Sequence, residues 1–142
     1  MANEASIRVS LTIRKDNLFY QSQPSFFQAD ITGTAKGPVP GAMAVPTTGK
    51  IVDFGELTIP GLCKLHNLDE TNYVEYGIYD PQIDVFYPLG EIMAGEVYVI
   101  RLSRNLLEEY TGTGTGTTAA TNKFMLKAQG ASCNCVIEAF EK

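Results

Sequence analysis

Apolar and polar residues alternate one by one through most of this chain. That period of two constrains its fold more than any other feature. Ile7, Val9, Leu11 and Ile13 alternate with Arg8, Ser10, Thr12 and Arg14. Phe27, Ala29 and Ile31 alternate with Gln28, Asp30 and Thr32. Val74, Tyr76 and Ile78 oppose Tyr73, Glu75, Gly77 and Tyr79, and Val97 and Val99 oppose Tyr98, Ile100 and Leu102. Phe124, Leu126 and Ala128 alternate with Met125 and Lys127. Cys133, Cys135, Ile137 and Ala139 alternate with Asn134, Val136, Glu138 and Phe140. Successive strand side chains point to opposite faces, whereas helical neighbours recur at three and four. Each run therefore predicts a half-buried strand with one wet face.

Turn chemistry punctuates the runs. Asp16-Asn17, Pro60-Gly61, Asp80-Pro81-Gln82 and Met93-Ala94-Gly95 are short breaks of the kind that tight turns use. Strands spaced this way predict an all-β, single-domain sandwich, jelly-roll-like, with about eight to ten strands and long loops over 1–142. Helical signal is confined to one turn over 105–110, with Asn105 as cap and Glu108 three residues on. Gly33 to Gly49, with Pro38, Pro40 and Pro46, predicts a long surface loop. The Thr-Gly run from Thr111 to Ala120 predicts an inter-strand loop or an adaptable contact loop.

The 142 residues carry 11 basic and 16 acidic side chains, a net charge of −5. Clustered Lys and Arg are what phosphate binding needs, so nucleic acid is not an expected partner. The sequence has no apolar run long enough for a membrane-spanning helix, so no membrane association is expected. The first residues, Met1-Ala2-Asn3-Glu4-Ala5-Ser6, lack the basic and apolar order of a secretory leader, so synthesis and folding in the cytoplasm are expected. Three cysteines, an odd and low number, do not describe a disulfide framework.

Chemical motifs are sparse. Cys63, His66, Cys133 and Cys135 offer the donor types of a zinc site, but a Cys-x-Cys pair lacks the usual spacing. Strand alternation would also turn Cys63 and His66 to opposite faces. The plainer reading, buried cysteines acting as small hydrophobes, is favoured, and no metal or cofactor is expected. His66, the one histidine, lies in no nucleophile elbow. The carboxylates Asp53, Glu56, Asp69, Glu70, Glu75, Asp80, Asp84, Glu91 and Glu96 fall mostly at predicted turns, where they are ordinarily solvated. Arg101, on an apolar strand, invites Glu75 or Glu91 as partner. Tyr73, Tyr76, Tyr79, Phe86, Tyr87 and Tyr98 could stack on sugars, yet tyrosine and phenylalanine are also common strand and core residues. No enzymatic activity is expected.

One resemblance adds to this reading. It is carried by Asp53-Phe54-Gly55-Glu56-Leu57, Pro60-Gly61, the segment Leu65 to Gly77 (LHNLDETNYVEYG), Phe86-Tyr87-Pro88-Leu89-Gly90-Glu91, Gly95-Glu96, Arg101-Leu102 and Cys133 to Glu141 (CNCVIEAFE). These segments resemble small β-sandwich structural proteins encoded among the virion genes of tailed bacteriophages. The resemblance implies a capsid decoration or cement protein that braces the outer shell, with the major capsid protein or other virion proteins as partners. The implied location is the virion, assembled in the host cytoplasm. A tail, baseplate or fibre component, with the aromatic cluster facing a subunit or a glycan, is the alternative.

The expected contact elements are the 1–6 arm, the 33–49 loop and the 111–120 loop. Their candidate interaction residues are Met1, Ala2, Asn3, Pro38, Pro40, Thr113 and Thr115, joined by Tyr79 and Tyr87 from the aromatic cluster. Solvated connectors are the competing reading of the three segments. Exposed sandwich edges make a homo-oligomer plausible.

Overall fold

In a computed structural model of the protein, the described residues are 4–31, 37–104, 106, 109–110, 120–121 and 123–141. The chain divides into two compact units, Met1–Thr32 and Gly33–Lys142. Every regular element among the described residues is a strand.

The first unit is a two-stranded ribbon. Strands β1 (Ala5–Val9) and β4 (Ser25–Ala29) pair antiparallel, and so do β2 (Thr12–Lys15) and β3 (Leu18–Gln21). Asp16 adopts a φ of 49° at the tip, a left-handed conformation that aspartate tolerates in tight turns. Between the pairs Val9↔Ser25 and Thr12↔Gln21, one strand supplies Ser10 and Leu11 while the other supplies Ser22, Gln23 and Pro24. The extra residue is a bulge, placed where Pro24 has no amide to give the ladder. Ser22 N donates to Leu11 O at 2.9 Å and Leu11 N to Ser22 Oγ at 3.0 Å, which joins the two halves. Ile31 N donates to Glu4 Oε2 at 3.2 Å across the open end.

This corrects the expectation of one half-buried strand from Ile7 to Ile13. Two strands stand there, and Val9, Leu11 and Ile13 are exposed, with Ile7 buried. A two-stranded ribbon has no second layer of its own to bury an apolar face.

The second unit is a sandwich of antiparallel sheets. Its strands are β5 (Val39–Val45), β6 (Lys50–Ile51), β7 (Pro60–Asn67), β8 (Val74–Asp80), β9 (Val85–Ile92), β10 (Val97–Arg101), β13 (Lys123–Ala128) and β14 (Cys133–Glu141). One sheet has the order β10-β7-β14-β5 and the other β6-β13-β8-β9. The pairing is nested. β8 pairs with β9, β7 with β10, β6 with β13, and β5 with β14. A small pair, β11 (Glu109–Tyr110) and β12 (Ala120–Thr121), lies between β10 and β13 in the chain.

The core follows the alternation. Cys133, Cys135, Ile137 and Ala139 of β14 are buried together with Val45, Cys63 and Leu65 from the same sheet. Val74, Ile92, Phe124, Leu126 and Ala128 supply the other sheet's share. Val52, Phe54 and Leu57 from the β6–β7 connection complete it. The Phe54 and Phe124 rings sit 6.2 Å apart, and Tyr76 packs on Phe124 at 6.4 Å, both within the range of favourable aromatic pairs.

Three expectations about this unit need correction. The 33–49 stretch is not a continuous loop, because Val39–Val45 forms edge strand β5. Proline is tolerated at a sheet edge, and buried Val45 anchors the strand. The 105–110 turn is not a helix at its end, since Glu109 and Tyr110 pair with Thr121 and Ala120. A single helical turn fixes several residues for one hydrogen bond, which makes it a poor competitor for strand pairing. Finally, β10 does not bury one face along its length, for Val97, Tyr98 and Val99 are all exposed.

Candidate interaction surface

The carboxylates serve the local structure first. Asp69 Oδ1 accepts from Thr71 N at 2.9 Å and Asn72 N at 2.6 Å. Those two amides, Asn72's first, hold its carboxyl below the usual aspartate value. Asp53 accepts from Gly55 N, Asp80 from Gln82 N, and Glu96 from Met93 N and the Tyr98 hydroxyl. Asp84 accepts from the Tyr79 hydroxyl at 2.7 Å and Glu75 from Gln129 at 2.6 Å. Arg101 pairs with neither Glu75 nor Glu91. Among the described residues the one ion pair is Lys64–Glu138 at 2.6 Å.

The three thiols are buried and unbridged. Burial pushes Cys63 up to about 12 and Cys135 to about 11, so neither is a thiolate at neutral pH. Cys63 is buried while His66, three residues on in β7, is partly exposed. Among the described residues no group of three or more His, Cys, Asp or Glu side chains converges as metal ligands would.

The aromatic residues do not share one platform. Tyr76 joins the core, and Tyr98 lies on β10, in the other sheet. Tyr79 faces Phe86 across the β8–β9 ladder, while Tyr87, opposite Ile78, is exposed. Tyr79 and Tyr87 thus share one hairpin but project from its opposite faces. Pro38 and Pro40 are exposed at the start of β5. Met1, Ala2, Asn3, Thr113 and Thr115 lie outside the described residues, as do most of the 111–120 segment and residues 33–36.

The apolar surface that stands out was not singled out by the sequence. It is the ribbon of residues 5–29. Val9, Leu11, Ile13, Leu18, Tyr20 and Phe27 are exposed there, with Phe19 at 59% and Phe26 at 54%. Two arginines lie directly across the ladder from two of the rings, Arg8 from Phe26 and Arg14 from Phe19. Their guanidinium carbons sit 5.7 and 5.1 Å from the ring centroids, within cation–π range. The repeat gives the ribbon a basic, aromatic character along one face. Consecutive apolar residues, Leu18-Phe19-Tyr20 and Phe26-Phe27, are the signal that marks it. They place apolar groups on both faces of a strand, which packing on one side cannot cover. Exposed apolar surface of this kind is characteristic of interaction sites.

No protein-family model, no curated protein and no solved structure matches this chain.

Proposed function

We infer that this chain is a non-enzymatic structural protein of a bacteriophage virion, a capsid decoration or cement protein that binds the outer shell. The observation that carries the reading is the ribbon. It devotes more than two dozen residues to a surface rich in exposed aromatic and aliphatic side chains (Ala5–Val9 through Ser25–Ala29). Such a surface suits docking onto another protein and has no use in a solitary sandwich. The nested strand pairing supports the reading in a second way. Such nesting suits a jelly-roll reading of the sandwich, an architecture that recurs in viral capsid and lectin domains. Fold alone does not fix function, so the weight rests on the ribbon. A protein present in many copies can bind weakly at each site and still reinforce the whole assembly by repetition.

The test is copy number per particle, by quantitative mass spectrometry of purified virions of the phage that encodes the chain. A number in the hundreds, proportional to the major capsid protein, is the expected result. A few copies to a few dozen would transfer the chain to the tail, baseplate or a vertex. Absence from the particle would overturn the virion reading altogether.

A further inference from the structure

The ribbon carries one arrangement twice. In the β1–β4 half, Ser6 stands opposite Gln28 and Arg8 opposite Phe26. In the β2–β3 half, Thr12 stands opposite Gln21 and Arg14 opposite Phe19. In each half the two pairs are two residues apart along the strands, so they share a face. The order is the same both times: a hydroxyl across from a glutamine amide, then a guanidinium across from a phenyl ring. Arg8 and Arg14 are six residues apart, about 20 Å along an extended chain.

Both guanidinium groups are held in place, and neither is matched by a carboxylate. Each lies over its ring, at 5.7 Å for Arg8 and 5.1 Å for Arg14. Both arginines and both rings are exposed. Among the described residues no carboxylate comes within ion-pair distance of either arginine. Beside Arg8 lies a hollow of about 250 Å³, lined by Arg8, Pro24, Ser25 and Phe26.

The net charge of the unit does not select a partner, because Arg8, Arg14 and Lys15 are balanced by Glu4, Asp16 and Asp30. The placement of those charges does. Glu4 and Asp30 stand at the open end, where Glu4 accepts from Ile31 N. Glu4 is four residues from Arg8 and ten from Arg14, about 13 and 33 Å of extended chain, beyond the screening length of about 8 Å at physiological salt. Asp16 lies at the tip, with Lys15 beside it. A guanidinium laid on a ring keeps its N–H edge free and offers a carboxylate two parallel hydrogen bonds.

We propose that the two Arg–Phe pairs read carboxylates, so that the surface on which the ribbon docks is a protein face presenting Asp or Glu side chains. Arg8 takes one carboxylate at the hollow, and Arg14 takes another. Two cations about 20 Å apart suit the scattered carboxylates of a folded protein and not a nucleic acid, whose phosphates recur about every 3.4 Å on each strand. This partner chemistry rests on the docking reading above and adds to it what the docked surface must carry.

The test uses the full chain and purified capsid shells, made without this chain, of the phage that encodes it. Co-sedimentation titrations compare wild type with Arg8→Gln/Arg14→Gln. Each is run against untreated shells and against shells whose carboxylates have been converted to amides with carbodiimide and glycinamide. Both arginines are exposed, so the substitutions leave the sandwich core untouched. Wild type is expected to bind untreated shells about tenfold more tightly than the double variant, the worth of two charge-assisted contacts near solvent. On amidated shells that difference is expected to vanish, because each change removes one side of the same contact. Lys15→Gln, exposed at the tip and outside both pairs, is expected to bind as wild type does. Equal binding of wild type and double variant to untreated shells would overturn the carboxylate assignment and leave the docking reading standing. So would a difference that persists on amidated shells, or an equal loss from Lys15→Gln, which would mean diffuse attraction. Absence of any binding by wild type to untreated shells would overturn the docking reading itself, and this partner chemistry with it.

Discussion

The side-chain amide of Asn67 donates to the carbonyl oxygen of Ile92 across 3.2 Å, joining the end of β7 in one sheet to the end of β9 in the other. The same nitrogen reaches Asn72 O at 2.9 Å and Met93 O at 3.3 Å, and Asn67 Oδ1 accepts from Asp69 N at 3.0 Å. Asn67 is fully buried and is the one buried polar side chain among the described residues. Its backbone amide also donates to Glu96 O at 3.1 Å. One side chain therefore closes both crossings between the sheets at this end of the sandwich, β7 to β8 and β9 to β10.

Replacing Asn67 should cost more than a typical substitution. Asn67→Ala leaves buried carbonyl oxygens without donors and opens a small void. The expected loss is about 3 kcal/mol, which for a chain of this size lowers Tm by roughly 10 °C. Thermal unfolding followed by circular dichroism measures it. A loss under about 1 kcal/mol would show that water replaces the amide without penalty.

Asp69 gives the fold a pH-dependent component. Its carboxyl is held below the ordinary 3.8 by the amides of Asn72 and Thr71. A depressed folded-state value means that the carboxylate stabilises the fold above the unfolded-state value. That contribution fades as pH falls through the folded-state value. Wild type should therefore exceed Asp69→Asn in Tm at pH 7, and the gap should narrow as pH drops below 3.8. Melting curves for both proteins from pH 7 to 2 provide the check, and a gap that stays constant would show that the charge has no role.

Gly77 is required for close approach rather than for backbone freedom. It lies opposite Pro88, where the β8–β9 register shifts and Leu89 is the extra residue. A Cβ on Gly77 would collide with the Tyr87 carbonyl oxygen and crowd Pro88 Cα. Both obstacles are backbone, so they move only if the strand moves. Gly77→Ala should destabilise by about 2–3 kcal/mol, whereas Gly95→Ala, which meets open space at a φ of 76°, should cost about 1 kcal/mol through backbone strain alone. Paired urea titrations of the two variants test the ranking, and equal losses would refute it.

The thiols should be silent in the folded protein. Cys63, Cys133 and Cys135 are all buried with raised values, and the thiolate is the reactive form. Ellman's reagent at pH 8 should modify none of them in native conditions and all three in denaturant. Rapid reaction of one thiol in native protein would mean that the core opens locally on the experimental timescale.

Much of the sandwich was legible because period-two alternation survives wherever one face is buried and the other wet. β14 shows this most clearly, with Cys133, Cys135, Ile137 and Ala139 buried in turn. β13 departs at Met125, which is also buried. The long side chain reaches into space left open by the absent side chain of Gly49, a contact between residues far apart in sequence. The turn carboxylates were legible as turn residues, since each bonds to amides two or three positions away. Glu141 was not, because its carboxylate accepts from Thr58 N and Ile59 N, more than 80 residues earlier.

The sequence by itself determined the class of fold, because strand periodicity and turn chemistry are local and are written residue by residue. Only the tertiary structure decided which apolar faces are covered. The alternation at Ile7, Val9, Leu11 and Ile13 is as regular as that at Cys133 to Ala139, yet the first runs along a ribbon and the second along the centre of a sandwich. A strand's pattern specifies a face to bury; whether a second layer arrives to bury it depends on contacts from elsewhere in the chain. At the ribbon Val9, Leu11 and Phe19 stay exposed, and that uncovered surface, which the alternation from Ile7 to Ile13 does not reveal, is what carries the functional proposal.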